Sequence, residues 1–295
     1  MITVIGSANM DLVVGTENFP AQGETVLGNV FDTVPGGKGA NQAIAAARLG
    51  SDIHMVCCVG DDMFGTSIVN NLQKNHVKSE GVGVVAAASG IANILLSEGD
   101  NRIIVVPGAN SLLTTAHIDA VEDVIQKSKL VLIQLEIPIP TVTYTLQKCQ
   151  ELGIPVLLNP APARGFQLDM MPFITYLTPN ETECEQIFGM DMMEALEKYP
   201  NQLIVTLGSE GARYFDGEQH VIVECFKTKV VDTTGAGDTF NGALAHGIVA
   251  GMELERAVRF ANAAASLSVE KFGAQGGMPA CEEVEKRLQE ASRLS

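Results

Sequence analysis

Short, continuous apolar runs alternate along this chain with longer stretches in which apolar positions recur every three or four residues. The runs at 2–5, 53–59, 130–135, 156–158, 174–177 and 203–206 predict strands buried on both faces, since a half-wet strand would interleave polar residues. Helical spacing predicts helices over 40–49, 64–75, 115–127, 140–152 and 182–188, then two or three more at 239–250, 254–271 and 281–292. Gly50 and Gly153 stand just past two of these, where a left-handed residue often ends a helix. Strands alternating with helices predict a mostly parallel sheet covered on both faces.

Two regions break the rhythm. Residues 12–34 hold short β-like pieces among turn residues, and 90–106 reads as a hairpin, 91–96 and 102–106, closed by Glu98-Gly-Asp-Asn101. They predict a small β-sheet, built from about 12–34 and 90–106, over the open end of the main sheet. Ligands of open α/β sheets bind at that end, so the insert is either a lid or a plain decoration. No repeat, low-complexity tract or linker divides the chain, so 1–295 is expected to form a single α/β unit.

Composition narrows the function. With 46% apolar and 18% charged residues the chain is globular. A net charge of −16 argues against a nucleic-acid partner but leaves room for one nucleotide held by local donors. The six cysteines show no C-x-x-C spacing and are expected to be reduced core thiols of a cytoplasmic protein. No basic leader precedes the first strand, and no apolar run approaches the ~18 residues of a membrane helix, so neither secretion nor a membrane partner is expected. The five histidines are scattered, which disfavours a histidine metal site.

The segment Asp232-Thr-Thr-Gly-Ala-Gly-Asp238 carries the chemistry. It joins a β-rich stretch at 221–231 to the apolar helix that follows. Gly235, Ala236 and Gly237 fall where amides at a helix start lack intrahelical acceptors, a ready anion site, and Asp238 plants a carboxylate in it. Phosphoryl transfer to a hydroxyl needs that pairing of donors and base. An acid in a first turn also simply complements the helix dipole, so this segment alone leaves a structural role open. Pro35-Gly-Gly-Lys-Gly-Ala-Asn41 opens another helix. It is not a Walker A loop, because Gly39 follows the lysine. Neither motif is a dinucleotide fingerprint: Gln42 and Phe240 occupy the third glycine positions. The loop suits a polar ligand pressed on backbone, or is a plain turn. Asn180 and Glu183 have the spacing of a capping box.

Gly36-Gly-Lys-Gly-Ala-Asn41, Thr178-Pro-Asn-Glu-Thr-Glu183 and Asp232–Asp238, in that order, resemble the signatures of the ribokinase-like carbohydrate kinases. Gly6-Ser-Ala-Asn-Met-Asp11, Asn159-Pro-Ala-Pro-Ala163 and Thr239-Phe-Asn-Gly-Ala243 agree. The resemblance spans essentially the whole chain. It implies a three-layer α/β/α fold with a small β-sheet lid and ATP-dependent phosphorylation of D-ribose at its 5-hydroxyl. Kinases of the same fold acting on 2-deoxyribose, fructose or a nucleoside are the alternatives. A nicotinamide dehydrogenase is disfavoured by the failed fingerprints.

By resemblance, Asp238 is the general base and Gly235, Ala236 and Gly237 supply the anion hole. The sugar would meet Asn9, Asp11, Gly37, Lys38, Asn41, Glu136 and Asp238, and the nucleotide Asn180, Thr206, Gly208, Gly237 and Asn262. Glu183 would help hold Mg²⁺ through water. A K⁺ activator would take Asp232, Thr234, Ser268, Lys271 and Gly273. Gly277 stands where a serine hydroxyl often completes that shell, with water as the substitute. In the family such lids pair between two subunits, so the resemblance implies a homodimer through the lid sheet, an exposed β edge being a natural place for pairing.

Overall fold

A computed structural model describes residues 1–97 and 100–292. In chain order, β1 (Ile2–Ile5) leads to β2 (Asn9–Thr16), β3 (Gly28–Gly36), α1 (Lys38–Arg48), β4 (Ile53–Gly60) and α2 (Met63–Lys74). Then come β5 (Lys78–Val85), β6 (Gly90–Ser97), β7 (Asp100–Val106), α3 (Thr115–Asp119), α4 (Glu122–Gln126) and β8 (Leu130–Gln134). The next elements are α5 (Ile139–Leu152), β9 (Val156–Asn159), β10 (Tyr176–Leu177), α6 (Glu181–Phe188) and α7 (Met192–Lys198). Strands β11 (Ile204–Thr206), β12 (Ala212–Phe215) and β13 (His220–Val223) precede α8 (Ala236–Val249), α9 (Leu254–Ser268) and α10 (Cys281–Ser292).

The central sheet has six strands in the order β10-β9-β8-β1-β4-β5, paired in parallel throughout. Its layers follow from strand periodicity: neighbouring residues point to opposite faces, so an unbroken apolar run feeds two cores. Leu130 and Leu132 of β8 pack with Ile44 of α1, Leu244 of α8 and Val258 of α9. Val131 and Ile133 pack on the other side with Ile118 of α3, Leu146 of α5 and Phe188 of α6. This is the α/β/α sandwich expected.

A separate four-stranded sheet, ordered β3-β2-β6-β7, uses the two predicted inserts. It is mixed: β2 runs antiparallel to β3 but parallel to β6. It also starts earlier than expected, since β2 begins at Asn9 and β3 ends at Gly36. Asn9, Asp11 and the Gly-rich loop are therefore rooted in this sheet. Glu98 and Gly99 of the hairpin turn lie outside the described residues.

Other expectations change. The apolar run at 203–206 predicts a further strand of the parallel sheet. Instead β11 belongs to an antiparallel sheet with β12 and β13, tied to the central one by single bridges at Leu177–Leu203 and Asn180–Thr206. The β-rich stretch at 221–231 yields only β13. Asn262 of α9 bonds the carbonyls of Val223 and Glu224, and the amides of Val231 and Asp232 turn to the Val269 carbonyl, so the ladder ends early. The helix at 115–127 breaks in two at a turn through Ala120 and Val121, with Ile118 and Ile125 both in the core. The helix at 254–271 stops at Ser268. Among the described residues, all six cysteines are free and no helix is long and apolar enough to cross a membrane.

Candidate active site

The site forms where α8 crosses α1 at the carboxyl ends of the central strands. Gly242 permits the crossing: a Cβ there would lie 2.7 Å from both the Gln42 carbonyl oxygen and the Ala45 Cβ. That closeness brings the first turn of α8 onto the first turn of α1. Asn41 Nδ2 donates to Asp238 Oδ2 at 2.9 Å, and Gln42 Nε2 donates to Oδ1 at 3.0 Å. Asp238 is 8% exposed, a carboxylate fixed on both oxygens with one edge open.

Gly235 precedes α8 in a left-handed conformation, φ 78°. The Ala236 amide donates to the Thr233 carbonyl at 3.2 Å, which takes it out of the expected anion hole. Among the described residues the amides of Gly235, Gly237 and Asp238 have no acceptor, so Asp238 takes the place of Ala236 among the free donors. They open on a cavity of about 310 Å³ that also collects Lys38, Asn180, Glu183, Thr206, Gly208 and Asn262. Every residue assigned to the nucleotide from sequence lines this one space. Asn180 and Glu183 form the reciprocal capping box of α6, each side chain accepting from the other's amide. Burial raises the Glu183 carboxyl above its usual value, against the Asn180 amide and Lys38, which favour its charge. For Lys38, burial pulls downward, but Asp238, Glu136 and Glu183 outweigh it and the ammonium ends above its ordinary value.

Among the residues assigned to the sugar from sequence, Glu136 Oε2 accepts from Ser7 Oγ at 2.5 Å and the Lys38 amide at 3.3 Å. Asn9 Oδ1 accepts from the buried Asn110 at 2.7 Å. Asp11 is pushed up to about 7 by burial, then by the charges of Glu136 and Asp238. It faces a second cavity of about 470 Å³, between the small sheet and residues 230–234. Asn41, assigned to the sugar from sequence, lines neither cavity: its Oδ1 accepts from Gln275 and its Nδ2 donates to Asp238. Sequence reasoning missed Gln42, Asn110, Gln134 and Gln275. Gln42 directly follows the Gly-rich motif; the other three carry no local signal.

The residues assigned to a monovalent cation sit on the loop before α8 and on the end of α9 with the loop after it, which touch through Asp232 and Gly273. Asp232 Oδ1 accepts from the Thr234 amide and hydroxyl, and Oδ2 from the Gly273 amide at 2.8 Å. Burial opposes the Asp232 charge, but these bonds outweigh it and hold the carboxyl below its usual range. Gly277 packs on Ser268, where any Cβ would overlap the Ser268 carbonyl oxygen. Lys271 is exposed, and the Ser268 hydroxyl turns back to the Ala265 carbonyl.

Residues 1–281 match the model of the pfkB family carbohydrate kinases. A ribokinase from Bacillus subtilis is 52% identical over 290 residues, covering 97% of this chain and 99% of its own. One from Lactococcus lactis is 49% identical over 291 residues, covering 98% and 97%. The solved structure of Arabidopsis thaliana ribokinase complexed with ribose and ATP has a TM-score of 0.90 at 34% identity, covering 98% of both chains.

Proposed function

The chain belongs to the pfkB family of carbohydrate kinases, and from that premise we propose that it transfers the γ-phosphoryl group of ATP to the 5-hydroxyl of D-ribose, giving D-ribose 5-phosphate. The observation that carries the reading is Asp238: a buried carboxylate, held on both oxygens, at the mouth of a cavity edged by unpaired helix-start amides.

The chemistry follows from position. The ribose hydroxyl gives its proton to Asp238 as its oxygen attacks the γ-phosphorus in line. Negative charge on the moving phosphoryl is met by the amides of Gly235, Gly237 and Asp238 and by Lys38. Asn9, Asp11, Gly37, Asn41 and Glu136 hold the sugar so that one hydroxyl faces the base. Thr206, Gly208, Asn180 and Asn262 hold the nucleotide.

Two ions fit the residues present. Glu183 lines the cavity with one oxygen committed to the cap and, among the described residues, no hydrogen bond to the other, which suits a hydrated Mg²⁺. Asp232 and the carbonyls of Thr234, Ser268, Lys271 and Gly273 offer the hard oxygens K⁺ prefers. Mg²⁺ supplies charge neutralisation on the phosphates when bound, and K⁺ supplies a fixed positive charge beside the α8 start. A serine at 277 would have to displace the Ser268 carbonyl, so the glycine belongs to this version of the shell.

Residues 1–295 act as one unit with the small sheet as its lid. That sheet exposes Phe31 at 71% and Ile104 at 59%, an apolar surface fit to pair with a second copy in a homodimer. The deciding experiment is an ADP-release assay over ribose, 2-deoxyribose, fructose and adenosine, run in K⁺ and in Na⁺. Ribose should give the highest kcat/KM, and K⁺ the higher rate. Preference for another acceptor would overturn the substrate assignment, and equal rates in the two salts the cation assignment.

A further inference from the structure

The base is held by more than its immediate neighbours. Gln42 Nε2 uses both hydrogens, one to Asp238 Oδ1 at 3.0 Å and one to Asn159 Oδ1 at 3.1 Å. Asn159 is itself fixed, because its Nδ2 donates to the Thr178 carbonyl at 2.9 Å. With two acceptors facing its amide nitrogen, Gln42 must turn Oε1 away from the site. There it accepts from Gln134 Nε2 at 2.6 Å. Gln42 and Gln134 are both wholly buried, and neither faces the cavities of the site.

Gln134 is the informative member. It ends β8, beneath the site, and its own Oε1 is buried against Gly6 with no hydrogen-bond partner. A buried unpaired carbonyl oxygen costs stability, and an apolar side chain of the same size would avoid that cost. The fold keeps the amide there although one end is orphaned. What the other end does is hold Gln42 in the orientation that points its donors at the base.

We propose that Gln42 and Gln134 are positioning residues for phosphoryl transfer: a two-step amide relay that fixes the plane of the Asp238 carboxylate. The proposal rests on the reading of Asp238 as the base. It explains why Oδ1 is tied from β8 through α1, while Oδ2 is tied through Asn41 to Gln275 and Asn71. Each carboxylate oxygen has its own chain of amides, so the plane cannot rotate without breaking one of them. A proton acceptor fixed in this way meets the sugar hydroxyl in one geometry, and small misplacements of reacting groups cost rate steeply.

The test uses Gln42→Met, Gln134→Met, the double variant and Asp238→Asn in the full-length chain, reading kcat, both KM values and Tm. Gln42→Met should lose kcat by on the order of 10²-fold with both KM values nearly unchanged, the mark of an interaction that acts in the transition state. Gln134→Met should lose about tenfold in kcat with little net change in Tm, since the orphaned Gln134 oxygen is gone while the buried Gln42 Oε1 loses its donor. The double variant should be no slower than Gln42→Met, because Gln134 acts only through Gln42. A Gln42→Met or Gln134→Met enzyme with wild-type kcat overturns the relay, as does a double variant in which the losses multiply. If Gln42→Met does not fold, Gln134→Met decides alone on the same terms. An inactive Asp238→Asn beside fully active glutamine variants sinks the relay and leaves the base standing. Near-normal turnover in Asp238→Asn removes the base itself, a separate failure.

Discussion

The seam between α1 and α8 and the small four-stranded sheet are built by opposite rules. In the seam, side-chain amides from three different elements interlock around one carboxylate, and almost every polar atom has a partner. In the sheet, β7 is exposed along its whole length and carries Ile103, Ile104, Val105 and Val106 toward solvent. The seam is finished within one chain; the sheet has apolar surface left over. A reacting group needs fixed geometry, which packed helices and strands provide, whereas a surface waiting for a partner must stay incomplete.

The contrast is broken most severely at the seam. Asp238→Asn should reduce kcat by about 10²–10⁴-fold with little change in Tm, measured by ADP release and thermal melting. Gly242→Val tests the crossing itself. Overpacking should cost about 1–3 kcal/mol of stability, read by urea denaturation, and a larger share of kcat, because the base leaves its register. Loss of stability with full kcat would show that the seam tolerates displacement.

Asp11 sits where the two regions meet, and pH addresses it. Its carboxyl stands at about 7, raised by burial and by Glu136 and Asp238. Sugar hydroxyls donate to the ionised form, so the KM for ribose should rise about tenfold per pH unit below 7 and level off above it. In the unliganded protein the sign reverses for stability. Ionising Asp11 is unfavourable in the fold, so its cost is absent below the ordinary carboxylate range and complete above about 7. Asp11→Asn should flatten both curves.

Smaller effects belong to the sheet. Asp62 caps α2 through the Gly65 amide and anchors the start of β6 through the Ser89 amide and hydroxyl. Asp62→Ala should cost about 1 kcal/mol in denaturant unfolding, with the loss centred on the starts of α2 and β6 by hydrogen exchange. Phe31→Ser should change folding stability by less than about 0.5 kcal/mol while shifting the proposed dimer to monomer in light scattering. A wild-type protein that is monomeric from the start would remove the sheet from the comparison.

These regions are unequally legible in the sequence. The central strands announce themselves because both their faces are buried, and a short unbroken apolar run between turn residues suits a doubly covered strand. Strand β5 stays hidden: Lys78-Ser-Glu-Gly-Val-Gly at the sheet edge carries no apolar rhythm, so only its pairing with β4 reveals it. The capping box of α6 is visible because its partners stand three residues apart. The loop leading to Asp232 reads as strand because its valines are β-formers, while its hydrogen bonds run to the end of α9. Gln42 and Gln134 are 92 positions apart and look ordinary singly. No local pattern encodes a pairing created by the fold.

The bonds from Asn41 and Gln42 to Asp238 also join residues 197 and 196 positions apart. Contacts that span so much chain close late in folding, after the nearer strands and helices have condensed. The enzyme therefore carries its own assembly check. If Asp238 is the base, as proposed, a chain that has regained most of its helix and strand signal but has not seated α8 on α1 has no oriented base and should turn over nothing. In refolding, recovery of activity should trail recovery of secondary structure, and that lag times the docking of one helix.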